Sequence, residues 1–196
     1  MPGRVPTPMI SVSFDRVREA IAQFRWRPEM GVEEIPAPRR IAPHAYAIEA
    51  ELFTAAQDDL GSGRLIVLYD PAGNPAWHGD YRFVTLARAD VDAEMAADGL
   101  LRDVCWTWLL EALDDARADF HDPSGTVTVV SSRSFGEISG QPDRAEVEIR
   151  ASWTPELGID LGVQPHLLAW QTLLCTAAGL PPLPEGVIPL LGRMER

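Results

Sequence analysis

Residues Ala145–Trp153 read AEVEIRASW. Val147, Ile149, Ala151 and Trp153 fall on one side of an extended chain; Glu146, Glu148, Arg150 and Ser152 fall on the other. A strict period of two marks a strand that is buried on one face and wet on the other. Such a strand belongs in an antiparallel sheet packed against something apolar on one side only. Every other segment is placed relative to this one.

Upstream, Ala45–Leu52 repeats the pattern, with Tyr46, Ile48, Ala50 and Leu52 opposed to Glu49 and Glu51. Leu65–Tyr69, LIVLY, is a continuous branched run and predicts a strand covered on both faces. Gln57–Gly63 supplies the turn before it, and DPAGNP at Asp70–Pro75 the turn after it. Trp77–Ala89 is the third strand and Thr126–Ser132 the fourth, the latter entered through DPSG at Asp122–Gly125. Glu33–Pro43, EEIPAPRRIAP, predicts a proline-rich connector.

Three helices complete the chain. One starts near Ser13, a good N-cap, and stops before Pro28, with Phe14, Val17, Ile21 and Phe24 at helical spacing. The second spans Leu100–Ala116 and carries two apolar stripes, one of Leu101, Val104, Cys105, Trp108 and Ala112, the other of Trp106, Leu110 and Leu113. Two apolar stripes predict burial on two faces, against the sheet and against a further element such as a second subunit. The third is His166–Ala178, ended by Gly179 and followed by an extended LPPLP at Leu180–Pro184. The expectation is an α+β fold with an antiparallel sheet of about five strands, in the order α-β-β-β-α-β-β-α. Residues 1–12 are expected to be a flexible N-terminus and residues 13–190 a single domain.

All 17 basic residues are arginine; the chain has no lysine. That excludes Schiff-base chemistry, covalent pyridoxal phosphate and a lysine-bearing phosphate loop. The formal net charge is −12, and most of it sits centrally: residues 46–160 hold eight arginines against 22 acids. Such a body repels nucleic acid and favours basic partners. Cys105 and Cys175 lie in apolar helical surroundings and fit small buried hydrophobes rather than a disulfide or zinc pair. No apolar run is long enough to span a membrane, and no signal-peptide core precedes Pro8, so a cytoplasmic protein is expected.

The chemical candidates are few. Asp90, Asp92 and Glu94 alternate, but Met95 and Leu101 break the calcium-loop pattern. His44, His78, His121 and His166 are scattered, without zinc-helix spacing. No metal and no cofactor are expected. The loop Ser131–Gly140, SSRSFGEISG, has four serines, Arg133 and two glycines, and its backbone could cradle an anion. It contains no nucleophile elbow. Arg82, Arg88, Glu148 and Arg150 share one sheet face as ion pairs or as a polar binding surface. The candidate binding residues are therefore Arg133, Ser134, Glu137, Glu148 and Arg150, with no catalytic residue. A non-enzymatic, protein-binding domain is the leading expectation, with a homodimer as its form. The alternative is a small-molecule binder or enzyme with a site near Ser131–Gly140.

Four stretches resemble an actinobacterial family catalogued as a domain of unknown function, number three thousand. They are EEIPAPRRIAPHAYAIEAEL (33–52), GRLIVLYDPAGNPAWHGDYRFVTLARADVDAEMAADGLL (63–101), EIRASWTP (148–155) and LLCTAAGLPPLP (173–184). The resemblance runs from about Phe14 to Val187 and implies no catalytic residue. The order of elements is also similar to the type III secretion chaperone fold, which implies a dimeric, acidic protein that binds other proteins without catalysis.

Overall fold

In the computed structural model, residues 12–56, 58–157 and 162–182 are described. The expected flexible N-terminus falls outside them except for Val12, as do the last two residues of the LPPLP tail. The chain runs α1 (Phe14–Ala22), β1 (Met30–Glu34), β2 (His44–Phe53), β3 (Asp59–Asn74), β4 (Gly79–Val91), α2 (Ala93–Ala97), α3 (Leu101–Asp115), β5 (Phe120–Ser132), β6 (Arg144–Pro155) and α4 (Gln164–Ala177). This is an α+β fold with one antiparallel sheet of six strands, ordered β1-β2-β3-β4-β6-β5. β6, the strand of the opening motif, pairs β4 on one side and β5 on the other. β4 and β5 therefore run parallel, two places apart. Parallel strands need a crossover of a dozen or more residues, and the segment holding α2 and α3 supplies it.

Period-two alternation sends Tyr46, Ile48, Ala50, Leu52, Leu65, Val67, Phe83, Ala87, Val147, Ile149 and Trp153 into one core. Both α3 and α4 pack on that side. Trp170 donates its Nε1–H to Thr85 Oγ1 at 2.8 Å, and Trp153 donates its own to His166 Nδ1 at 3.2 Å. Gly63 lets α4 approach β3, because a Cβ there would overlap the Leu174 side chain. Both cysteines are buried and free, and burial pushes each thiol up to about 11.

Four expectations need correction. A sixth strand, β1, precedes the connector and takes in its first two residues; MGVEE is short, ends in two glutamates and carries no alternation strong enough to announce it. DPAGNP does not end a strand. β3 continues to Asn74 through an irregular register, and the reversal comes at residues 75–78, where Asn74 Oδ1 accepts the Ala76 N–H and His78 adopts φ 53°. DPSG is likewise a kink inside β5, with Asp122 at φ 50° and a register shift between His121 and Ser124. Finally, α3 buries one face only, through Leu101, Cys105, Leu109, Ala112 and Leu113, while Val104 is 43% exposed and Trp106 and Trp108 are half-buried. Its two stripes are one stripe and a flank.

Trp106 lies over Gly125, where a Cβ would come within 2.8 Å of its ring and closer still to the β6 backbone. Gly125→Val is expected to cost about 1–3 kcal/mol by overpacking, measured as a lower urea midpoint; an unchanged midpoint contradicts this packing. Burial also pushes the His166 imidazole down from 6.5 to about 4. The unfolded chain takes up this proton near pH 6.5 and the folded chain only near 4. Stability from this group is full above the higher value, falls as pH drops between the two, and levels off below the lower, a loss of about 3 kcal/mol. Urea titrations across that window should show the decline, and His166→Leu should flatten it.

Candidate binding face of the sheet

The helices cover one face of the sheet; the other carries the alternate residues of each strand. Strand register sets these in rows. One row runs Ala47, Ile66, Val84, Ser152 and Ser124 from β2 to β5. The next runs Glu49, Arg64, Leu86, Arg150 and Thr126, and a third Glu51, Ser62, Arg88, Glu148 and Thr128. Half-buried Ile66, Val84 and Leu86 form an apolar band, flanked by Arg64 and Arg150 and by the hydroxyls of Ser124 and Ser152. Together they line an open depression of ≈ 550 Å³.

The arginines of this face outnumber the carboxylates that touch them. Arg64 pairs with Glu49 at 2.7 Å. Arg88 and Arg150 both contact Glu148, at 2.6 and 2.8 Å, so one carboxylate serves two cations. Partial burial pushes the Glu148 carboxyl upward, but the Arg88 hydrogen bond and the charges of Arg150 and Arg88 outweigh it and hold it below its ordinary range.

Arg82 is 9% exposed and has no carboxylate partner among the described residues. Its Nη1 donates to Thr154 Oγ1 at 2.9 Å, and its Nη2 to Ser152 Oγ at 2.8 Å and Ser124 Oγ at 3.1 Å. Burial pulls its pKa down, opposed by the charge of Asp122; guanidinium stays protonated regardless. The consequence is directional. Both serine oxygens accept from Arg82 and lie 3.3 Å apart, so at most one hydroxyl proton is used between them. At least one hydroxyl proton is left over among these groups, and both serines line the depression. The buried Arg82 cation, with Asp122 near enough to act on it, stands behind these hydroxyls at the edge of the depression. Neither serine touches a histidine or carboxylate among the described residues, so neither has a base to activate it.

The predicted site residues divide into two groups. Glu148 and Arg150 sit on this face, as do Arg82 and Arg88, which the sequence places with them. Arg133, Ser134 and Glu137 lie in the β5–β6 loop, beyond the Ser132–Arg144 pair that closes the hairpin. Arg150 lies six positions along the strand from Arg144, about 20 Å. Arg133 is engaged across the loop neck by Asp143 at 2.6 Å, which lowers the Asp143 pKa. Glu137 stands on a single turn, Gly136–Ile138, and Ser134 is half-buried. Arg64, Ser124, Ser152 and Thr154 belong to the site without being candidates in the sequence. The last two follow from the period of β6; Ser124 lies before the expected strand start at Thr126.

Two of the scattered histidines meet. His78 Nδ1 and His121 Nδ1 both reach Asp122 Oδ2, at 2.6 and 3.1 Å, and His121 Nε2 lies 3.2 Å from Glu156. The hydrogen bond from His78, then that from His121, holds the Asp122 carboxyl below its usual range. The cluster ties the β3–β4 hairpin to the start of β5, beside the Arg82 end of the face, where Thr154 Oγ1 also donates to the Trp77 carbonyl at 2.6 Å. Among the described residues, no group of three or more histidines, cysteines or acids is arranged to hold a metal ion, and no helix is long and apolar enough to cross a membrane.

No curated protein and no solved structure matches the chain. One family model does, over residues 10–188, a span that contains all four stretches quoted above. The chain belongs to that family, described as a protein of unknown function (DUF3000).

Proposed function

We propose that this is a non-catalytic binding domain that receives an acidic, partly apolar segment of a protein partner on the open sheet face. The observation that carries the reading is Arg82, a buried cation whose hydrogen-bonding partners are all neutral and whose capping serines retain a donor for a ligand carboxylate. Charge-assisted hydrogen bonds of this kind are stronger than neutral ones. Ile66, Val84 and Leu86 supply the apolar half of the contact, and Arg64 and Arg150 its charged rim.

A short acidic segment fits this face better than nucleic acid does. It brings few charges to a limited basic patch, whereas a polyanion would extend over the surrounding acidic surface. A cytoplasmic setting accords with this reading. The loop residues Arg133, Ser134 and Glu137 form a second, peripheral contact in this reading, with Glu148 orienting Arg150.

The probe is a labelled peptide of alternating glutamate and leucine, followed by fluorescence anisotropy. We expect saturable binding that weakens with salt and falls at least about tenfold in Arg64→Glu/Arg150→Glu. A lysine–leucine peptide should not bind. Equal binding of both peptides, or an unchanged double variant, contradicts the proposal. The depression also has the volume of a small-molecule site. Stabilisation by benzoate or inorganic phosphate, without peptide binding, would move the assignment to a small anion.

A further inference from the structure

The sheet has two edges, and they differ. β1 is five residues long and ends in Glu33 and Glu34. β5 is 13 residues long. Edge strands offer unpaired N–H and C=O groups to any strand that approaches, and proteins blunt them with charge, proline or bulges. The start of β5 is blunted in this way, by Pro123, by Asp122 at positive φ and by the register shift before Ser124. From Ser124 to Ser132 the strand reads SGTVTVVSS, with no charge and no proline. Val130, on the open face, is 49% exposed.

We propose that a second copy of this chain pairs here, β5 against β5 in antiparallel register about a twofold axis at Thr128. The proposal is independent of what the open face binds. The sequence of this edge selects a second copy, and its lack of charge permits one. Each copy carries a net charge of −12, so two copies repel over most of their surfaces; this edge is a long uncharged one. The run is also nearly the same in both directions. An axis at Thr128 sets Val127 against Val129 on the helix side, and Thr126 against Val130 with Thr128 against itself on the open side. Every central pair is then β-branched, which favours cross-strand packing. The contact is isologous, so it closes at two copies. α2 and α3, which lie against β5, add exposed Met95, Leu100 and Val104 on the flank. The product is one continuous sheet with two open faces side by side.

Sedimentation of the full chain at micromolar concentration should show a dimer. Thr128→Lys sets two cations on the axis and should weaken association at least about tenfold, with the far-ultraviolet circular dichroism of the subunit unchanged. Thr128→Cys should form a disulfide-linked dimer under mild oxidation, while the wild-type chain, whose cysteines are buried, should not. A monomeric wild-type chain overturns the proposal, as does a dimer indifferent to Thr128→Lys. Pairing only with an added foreign strand peptide would overturn it too. Failure here leaves the peptide assay unaffected, because that assay varies Arg64 and Arg150 and reads a different event.

Discussion

Helix α4 is fixed to the middle of the sheet at three points, and the remaining architecture follows from that attachment. Trp170 hydrogen-bonds Thr85 on β4, His166 accepts from Trp153 on β6, and Leu174 fits over Gly63 on β3. Two of these contacts place a polar atom in an apolar core, where a missing partner costs more than the bond itself contributes. The helix therefore has one satisfactory position and orientation. With it in place, the apolar residues of each strand face the helices. The arginines, serines and threonines that alternate with them face outward, and their open surface is a consequence of how the core is satisfied.

Much of this was legible in the residues. The alternation of Ala145–Trp153 identified both faces of β6 and put Glu148 on the face of Arg88; the pairing of β4 with β6 then joins the two. Gly179, at φ 70°, closes the chain after α4 where a left-handed cap was expected. What sequence could not convey was long-range. β1 becomes a strand because β2 offers it an edge; nothing in MGVEE alone requires it. Proline and glycine in DPAGNP and DPSG mark bends, but whether a bend ends a strand or kinks it depends on the pairing partner. Helix α3 carries more apolar residues than its buried face needs, so counting them suggested a second covered face.

The same distinction applies to the site. A loop rich in serine and glycine attracts attention in a sequence, yet Arg133 spends its guanidinium on Asp143 at the loop neck. Arg82 looked like one more strand arginine. Its distinction, burial without a carboxylate, belongs to the tertiary structure, because Thr154, Ser152 and Ser124 come from β6 and β5. The His78–Asp122–His121 cluster is likewise assembled from two turns that are distant in the chain. In an acidic protein, a few arginines left short of carboxylates define a direction of attraction more sharply than they would elsewhere.

The central claim is that a ligand lands chiefly on this arginine- and hydroxyl-lined face, with the loop only a peripheral contact and the helices uninvolved. Amide chemical-shift mapping with the acidic, leucine-bearing peptide tests it most directly. The account predicts shifts at Val84, Leu86, Arg150, Ser152 and Ser124, with α4 undisturbed. Shifts confined to residues 133–143 or to α4, or none at saturating peptide, would contradict it.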